Sequence, residues 1–301
     1  MDIHHIFVVG AGLMGTGIAQ VCLQAGFQVT ITDSNAAVLD RGAASIRSRL
    51  ATRVEKGKLS QEDYTHCLAR LDTAAELTGA EPCDMVIEAI YENYDAKRAV
   101  FSSLSQICRP DCILASNTSS ISLTKLAAAV DRPERFLGMH FFSPVPAMKL
   151  LELITGLRTA PETVETARHV GERLGKLMIL SKDMPGFIVN RMLNPMLNEA
   201  VQILDEGIGR VEDIDNGMKF GCNHPMGPLA LTDMVGVDIL LAVMEVLHTE
   251  LGESKYRPAP LLRKMVQAGF TGKKAGAGFY IYDSTGQSIG VNPALTHLSS
   301  E

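Results

Sequence analysis

Short apolar runs alternate with amphipathic stretches along the first half of the chain. Each run is apolar at consecutive positions and rich in β-branched residues, which is typical of strands buried on both faces of a parallel sheet. The predicted strands are IFVVG (6–10), QVTITD (28–33), MVIEAI (85–90), CILASN (112–117), RFLGMHFF (135–142), MKLLELI (148–154) and KLMILSK (176–182). The stretches between them predict helices near residues 14–25, 35–57, 95–108, 122–130 and 161–174. Strands that alternate with helical crossovers indicate an α/β fold with a doubly wound, Rossmann-type sheet.

The pattern changes after Asp183, where strands give way to long helical stretches. Helices are predicted over residues 185–207, 211–220, 226–248 and 258–268, and a strand pattern returns only in the final GFYIY. We therefore predict a Rossmann-type domain over residues 1–183 and an all-α C-terminal domain over residues 184–301. The apolar faces of these helices would form either the core of the domain or a contact surface, and we expect a homodimer through this domain.

The composition is that of an ordinary globular protein, with 46% hydrophobic and 21% charged residues among 301 positions. A formal net charge of −6 argues against a nucleic-acid-binding protein. The six cysteines include neither a CxxC pair nor a histidine partner at zinc-binding spacing, so we expect reduced thiols and no metal site. A strand begins almost at the N-terminus and no apolar run reaches the length of a membrane span. We therefore expect a cytoplasmic protein without a membrane contact.

The first predicted strand leads into GAGLMG, which fits the pattern GxGxxG of dinucleotide-binding turns. Glycines at these positions allow a tight turn, a close approach of the backbone to a pyrophosphate, and close packing of helix on strand. The helix that follows offers its free N–H groups to the phosphates. The turn residues expected to contact the cofactor are Gly10, Gly12, Leu13, Met14 and Gly15. Asp33 ends the next strand and would accept hydrogen bonds from the adenosine ribose. Since no arginine follows it immediately, the sequence favours NAD over NADP.

The stretch GMHFFSPVP places His140 in an otherwise apolar predicted strand. If the strands on either side of SPVPA pair antiparallel about Pro146, His140 lies opposite Glu152. The carboxylate would then hold one ring nitrogen and favour the charged imidazole, and the other nitrogen could take a proton from a substrate hydroxyl. A histidine among apolar residues is often only a hydrogen-bonded core residue, but an acidic partner beside a cofactor-binding fold favours catalysis.

Two further polar residues are candidates for substrate contacts. Ser119 follows a predicted strand end and could reach the substrate or the nicotinamide, although it could also cap the next helix. Asn190 stands in an apolar helical stretch, where asparagine is intrinsically unfavourable. It would hydrogen-bond either the substrate or a neighbouring helix.

One predicted helix carries a basic face. Arg49, Arg53 and Lys56 are spaced i, i+4 and i+7, so they share one side of the helix, with Arg47 and Lys58 flanking it. Such a face is either simply solvated or holds the phosphorylated tail of a substrate.

Six motifs taken together resemble the L-3-hydroxyacyl-CoA dehydrogenase family, most of all its short-chain bacterial members. They are GAGLMGTGIAQ, ASNTSS, GMHFFSPVPAMKLLELI, KDMPGFIVNR, HPMGPLALTDMVGVD and GKKAGAGFYIY. The resemblance implies an NAD-dependent interconversion of an (S)-3-hydroxyacyl-CoA and a 3-oxoacyl-CoA. It also implies that His140 is the general base, that Glu152 supports its charged form, and that Ser119 and Asn190 hydrogen-bond the substrate oxygen.

The same resemblance implies further contacts with small molecules. Cofactor contacts are expected from Glu92, Lys97, Ser119, Ser143 and Lys274. Contacts with the coenzyme A substrate are expected from Arg49, Arg53, Lys56, Ser119 and Asn190. Many relatives carry asparagine in place of Ser143, and serine is shorter but can still donate and accept one hydrogen bond near the nicotinamide ribose. Family members dimerise through the helical domain and close their two domains over the substrate.

Three other functions fit parts of this pattern. A β-hydroxyacid dehydrogenase also combines a glycine-rich turn with a helical domain, but it relies on a lysine base and does not need the pair of His140 and Glu152. A sugar-acid dehydrogenase of the same superfamily would lack the basic helix face. A non-catalytic, crystallin-like NAD-binding protein would lack the histidine or the glutamate. The basic helix face, His140 and Glu152 are all present, so a coenzyme A-dependent enzyme is the expected function.

Overall fold

The computed structural model describes residues 1–298. The chain forms two compact units, Met1–Phe187 and a second unit that starts at Ile188. This division falls slightly after the boundary predicted at residue 183.

The first unit contains one sheet and six helices. Its strands are β1 (His5–Val9), β2 (Gln28–Thr32), β3 (Leu71–Ala74), β4 (Met85–Glu88), β5 (Ile113–Ser116), β6 (Phe136–Phe141), β7 (Leu150–Thr155) and β8 (Leu177–Lys182). Its helices are α1 (Leu13–Gln24), α2 (Ala36–Glu55), α3 (Gln61–Ala69), α4 (Tyr94–Ile107), α5 (Leu123–Ala127) and α6 (Pro161–Arg173). Short 3₁₀ turns occupy Leu77–Ala80 and Pro133–Arg135.

The eight strands have the order β3-β2-β1-β4-β5-β6-β7-β8. Neighbouring strands are parallel, except for β6 and β7, which are antiparallel. Side chains alternate across the sheet, so Ile6 and Val8 of β1 join the core on one face while Phe7 and Val9 join the core on the other. Helices cover both faces, and the predicted α/β fold with a doubly wound sheet is confirmed.

The sequence reading missed β3 and α3. The strand LDTA has only four residues, two of them exposed, and it lies at the edge of the sheet. An edge strand of this kind has no continuous apolar run, which is the signal that identified the central strands.

The second unit is mainly helical. It contains α7 (Val189–Asp205), α8 (Val211–Asn216), α9 (Pro228–Val235), α10 (Val237–Leu251), α11 (Pro260–Gln267) and a hairpin of β9 (Tyr280–Tyr282) and β10 (Ser288–Val291). A π-helical turn covers Gly217–Gly221, and 3₁₀ turns cover Ser254–Tyr256, Lys273–Ala275 and Pro293–Leu298. The prediction of one helix over residues 226–248 is wrong, because Gly236 adopts a φ of 116° and separates α9 from α10. Within residues 1–298, no helix is both long and apolar enough to cross a membrane.

A buried aspartate anchors the hairpin of the second unit. Asp233 is 1% exposed and accepts hydrogen bonds from the main-chain N–H groups of Phe279 and Tyr280 and from the hydroxyl of Tyr282. A Cβ on Gly278 would lie 1.9 Å from Asp233 Oδ1, so only glycine allows this close approach. Burial raises the pKa of Asp233 to about 6.

This raised pKa predicts that the second unit loses stability as the pH rises through the window between the ordinary aspartate value and 6. There the folded chain keeps a proton that the unfolded chain has lost, and the full change amounts to roughly 3 kcal/mol. The measurement is the free energy of urea unfolding of the wild type and of Asp233→Asn from pH 4.5 to 7.5. The variant should have a lower free energy of unfolding than the wild type at pH 4.5, and this difference should shrink as the pH rises. Parallel curves for the two proteins would show that Asp233 does not titrate in this range.

Candidate active site

The glycine-rich turn lies between β1 and α1. Gly10 has a φ of 104°, and a Cβ on Gly15 would lie 1.8 Å from Gly10 O, so both positions require glycine. At Gly12, by contrast, an added Cβ would meet no atom within 4 Å. No side chain caps the N-terminus of α1, and the space beside Gly12 fits a pyrophosphate that approaches the free N–H groups. Leu13 is exposed and Met14 half-buried in the first turn of this helix.

Asp33 supports this turn from the end of β2. Its Oδ2 accepts a hydrogen bond from Ala11 N at 2.9 Å, and its Oδ1 accepts one from Asn35 N at 2.9 Å. Beside it lies a cavity of about 690 Å³, whose lining includes Gly10, Gly12, Asp33, Val38, Ile90 and Val100. An apolar cavity with a carboxylate at its rim fits the adenosine half of a dinucleotide.

A buried ionic network lies at the carboxyl ends of β4 and β5. Lys97 is 1% exposed, and its Nζ lies 2.5 Å from Glu88 Oε1 and 3.3 Å from Glu92 Oε2. The Ser116 hydroxyl donates to the other oxygen of Glu88. The ammonium of Lys97, a predicted cofactor contact, is buried against the carboxylates of Glu88 and Glu92.

Glu92 connects this network to the loop that carries Ser119. Its Oε1 accepts hydrogen bonds from the Thr118 hydroxyl at 2.6 Å, from Ser119 N at 2.9 Å and from Ser120 N at 3.1 Å. Burial would raise the pKa of Glu92, but the Lys97 ammonium and these hydrogen bonds outweigh it and lower the pKa. The residue that caps the N-terminus of α5 is Ser122 and not Ser119.

The histidine and the glutamate predicted to pair do so. In the antiparallel ladder of β6 and β7, His140 stands opposite Glu152. The distance from His140 Nδ1 to Glu152 Oε2 is 2.7 Å, and both residues are buried. The rings of Phe142 and Phe187 lie 4.6 and 5.7 Å from the imidazole, measured between centroids. Because Glu152 holds Nδ1, Nε2 is the nitrogen left to exchange a proton with a substrate.

Asn117 joins the Ser119 loop to the strand of the histidine. Its Oδ1 accepts a hydrogen bond from Phe141 N at 2.8 Å, at the peptide that follows His140. The ladder between β5 and β6 ends at Ser116 and Gly138, so this side chain continues the pairing where the main chain of β5 has turned away. The sequence reading missed Asn117, although its place directly after a buried strand was a signal. Ser143 lies exposed in the turn after β6, before a cis peptide bond to Pro144.

Helix α2 carries the basic face. Arg49 Nε and Nη2 and Arg53 Nε are buried and have no hydrogen-bond partner in the described part of the chain. Burial also lowers the pKa of Arg49. Lys56 is the exposed residue at the C-terminus of this helix. Buried guanidinium nitrogens without a partner are unusual in proteins.

The second unit carries the other two predicted site residues. Asn190 is half-buried in the first turn of α7, and its carbonyl accepts a hydrogen bond from Asn194 Nδ2. Lys274 Nζ lies 2.6 Å from Asp238 Oδ2 in an exposed ion pair.

Comparison with known proteins shows the family of this chain. The family described as "3-hydroxyacyl-CoA dehydrogenase, NAD binding domain" matches residues 5–184, and the family described as its C-terminal domain matches residues 186–282. The chain is 50% identical over 283 residues to a Bacillus subtilis protein named "Probable 3-hydroxybutyryl-CoA dehydrogenase", covering 94% of this chain and 99% of the relative. It is 49% identical over 280 residues to the 3-hydroxybutyryl-CoA dehydrogenase of Bradyrhizobium diazoefficiens, covering 93% and 96% of the two chains.

A solved structure of a relative is also similar to this chain. The crystal structure of (S)-3-hydroxybutyryl-CoA dehydrogenase PaaH1 from Ralstonia eutropha superposes with a TM-score of 0.92 at 49% identity. The match covers 94% of this chain and 100% of that one. The glycine turn, the carboxylate at the end of β2 and the matched NAD-binding domain identify the cofactor as NAD. This chain therefore belongs to the 3-hydroxyacyl-CoA dehydrogenase family.

Proposed function

We propose that the protein interconverts (S)-3-hydroxybutyryl-CoA and acetoacetyl-CoA, with a histidine and glutamate pair as the acid–base group. The observation that carries this proposal is the buried hydrogen bond between His140 and Glu152 at the end of the sheet that also bears the glycine-rich turn. The names of the relatives support the short-chain substrate.

In the oxidation direction, Nε2 of His140 takes the proton of the 3-hydroxyl group. Bound NAD supplies the acceptor for the hydride that leaves C3. The imidazolium that forms lies beside the Glu152 carboxylate, which stabilises its charge in a buried site packed by the rings of Phe142 and Phe187. In the reduction direction, the same nitrogen returns the proton to the substrate oxygen.

Ser119 and Asn190 would hydrogen-bond the reacting oxygen, on which negative charge develops in either direction. Glu92 receives several hydrogen bonds from the loop of Ser119, so it would fix this loop while it contacts the nicotinamide half of the cofactor. Lys97 would act on the cofactor through Glu92, since its ammonium is buried against that carboxylate and Glu88. Lys274 and Ser143 remain proposed cofactor contacts.

The basic face of α2 would bind the phosphates of coenzyme A. Arg49 and Arg53 hold buried guanidinium nitrogens without a partner within residues 1–298, and Lys56 adds an exposed charge one turn later. Phosphate oxygens would provide the missing acceptors, and charge-assisted hydrogen bonds to guanidinium are among the strong ones in proteins.

The steady-state rate of NADH oxidation tests the substrate assignment. Acetoacetyl-CoA should be reduced with a kcat/KM at least ~100-fold above that of free acetoacetate, since the coenzyme A portion contributes binding energy. Equal values for the two substrates would contradict the assignment and favour a dehydrogenase of free acids.

Arg49→Ala/Arg53→Ala should raise the KM for acetoacetyl-CoA by about 10- to 100-fold, with kcat nearly unchanged, because these residues contact a part of the substrate that does not react. Acetoacetyl-pantetheine, which lacks the nucleotide phosphates, should show the same KM with the variant and the wild type. Arg98→Ala, on the exposed side of α4, is the matched control. If this double variant has an unchanged KM for acetoacetyl-CoA, α2 does not contact the substrate.

The second unit would form the contact surface of a homodimer. Large apolar side chains are exposed on it, and a second copy of the chain would cover them. They include Met192, Phe220, Met234 and Ile239.

A further inference from the structure

The turn between β6 and β7 joins the strand of His140 to the strand of Glu152. Within it, Pro144 O accepts hydrogen bonds from Ala147 N at 2.9 Å and from Met148 N at 3.0 Å. The turn is anchored at two further points, and neither anchor belongs to β6 or β7.

The first anchor is Lys176, the residue before the edge strand β8. It is 8% exposed, and its Nζ donates to Val145 O at 2.6 Å and to Met148 O at 2.7 Å. In the described part of the chain it forms no ion pair with a carboxylate, and burial lowers its pKa. A buried ammonium is costly unless it is hydrogen-bonded, and here both of its bonds go to carbonyls of the turn. The ammonium thus links two carbonyl oxygens of the same turn through hydrogen bonds.

The second anchor is the side chain of Val145. It is 2% exposed and packs on α1 at Gly17, where an added Cβ would lie 2.9 Å from Val145 Cβ. Since α1 begins at the glycine-rich turn, Val145 connects the hairpin of the acid–base pair to the helix that would bind the pyrophosphate. Lys176 secures the same turn through the main-chain carbonyls of Val145 and Met148.

The position of this turn matters for both partners of the acid–base pair. In an antiparallel hairpin the turn sets the register, and a shift of one residue moves a side chain to the opposite face of the sheet. Such a shift would take Glu152 away from His140. Smaller movements of the turn would change the position of His140 relative to α1, and proton and hydride transfer are sensitive to errors of about 1 Å.

We propose that Lys176 is a positioning residue for the reaction, which holds the turn between β6 and β7 so that His140 stays aligned with Glu152 and with the cofactor on α1. This inference rests on the proposed function of the pair. Lys176 touches neither member of the pair in the structure and acts only through the carbonyls of Val145 and Met148.

The test compares Lys176→Met, which keeps the length of the side chain, with Lys176→Arg, which keeps its charge and its donors. Lys176→Met should lower kcat for acetoacetyl-CoA reduction by about 10- to 100-fold, while the KM and the dissociation constant of NADH stay within ~3-fold. The deuterium isotope effect on kcat with deuterated NADH should rise, because the transfer step becomes rate-limiting. Lys176→Arg should recover most of kcat. Lys182→Met, at the exposed far end of the same strand, is the matched control.

Val145→Ala covers the case in which Lys176→Met does not fold. It weakens the other anchor of the same turn without leaving buried polar groups unpaired, and it should lower kcat with the same unchanged KM, by a smaller factor. The inference is overturned if Lys176→Met keeps kcat within ~2-fold of the wild type. It is also overturned if Lys176→Met loses kcat and NADH binding together while Val145→Ala remains fully active. If the wild type does not turn over acetoacetyl-CoA, the proposed function is wrong, and the role of Lys176 in it is wrong as well.

Discussion

Replacing His140 by glutamine should lower kcat by about 10³-fold while the dissociation constant of NADH changes less than ~3-fold. Glutamine has a similar size and can still hydrogen-bond Glu152, but it cannot accept and release a proton near neutral pH. A positioned acid–base group contributes about 10²- to 10⁴-fold to a rate. Because the imidazole is held by Glu152 at 2.7 Å and does not belong to the glycine-rich turn, cofactor binding should be almost unaffected. Steady-state kinetics and fluorescence titration with NADH measure the two quantities.

His169→Gln provides the control for this substitution. His169 lies exposed on α6 and pairs only at the surface with Glu165, so its replacement should leave both kcat and NADH binding unchanged. A loss of NADH affinity in His140→Gln as large as the loss of kcat would indicate that His140 is a structural residue of the core.

Replacing Gly15 by alanine should weaken NADH binding by roughly two orders of magnitude, because the pyrophosphate site depends on the main-chain geometry of the turn. The new Cβ would lie 1.8 Å from Gly10 O and 2.9 Å from Gly10 C, and neither is the end of a flexible side chain. The main chain of the turn must therefore move, at a cost of about 1–3 kcal/mol in folding stability. Fluorescence titration measures the loss of affinity, and urea unfolding measures the loss of stability.

Gly217→Ala is the matched control for the same chemical change. An added Cβ there meets no atom within 4 Å, and the residue has a helical φ of −54°, so the variant should be as stable as the wild type or slightly more stable. If Gly15→Ala bound NADH with wild-type affinity, the turn would tolerate a side chain and would not be the pyrophosphate site.

The sequence was sufficient to predict the fold class, the central strands and the pairing of His140 with Glu152. These rest on signals within short windows: the continuous apolar runs of β1, β2, β4 and β5, the glycine spacing, and a proline-rich turn centred on Pro146. The pairing follows from simple counting about that centre, and the ladder of β6 and β7 has the same register.

Features that depend on residues far apart in the chain were not predictable in this way. The edge strand β3 is stabilised by its pairing with β2, although its own four residues show no strand pattern. The clustering of Lys97 with Glu88 and Glu92 depends on where α4 packs over β4, and the bonds of Lys176 depend on how β8 aligns with β7.

By itself, then, the sequence determined which residues are the candidates for the chemistry: the glycine-rich turn with Asp33, the basic face of α2, and a histidine opposite a glutamate. Only the tertiary structure decided what holds them in place: Glu92 under the loop of Ser119, Asn117 on the strand of His140, and Lys176 on the turn beyond it. The physical reason is that local pattern reflects periodicity and turn chemistry within a few residues. A hydrogen bond between a side chain and a distant carbonyl, by contrast, exists only after the strands have been placed side by side.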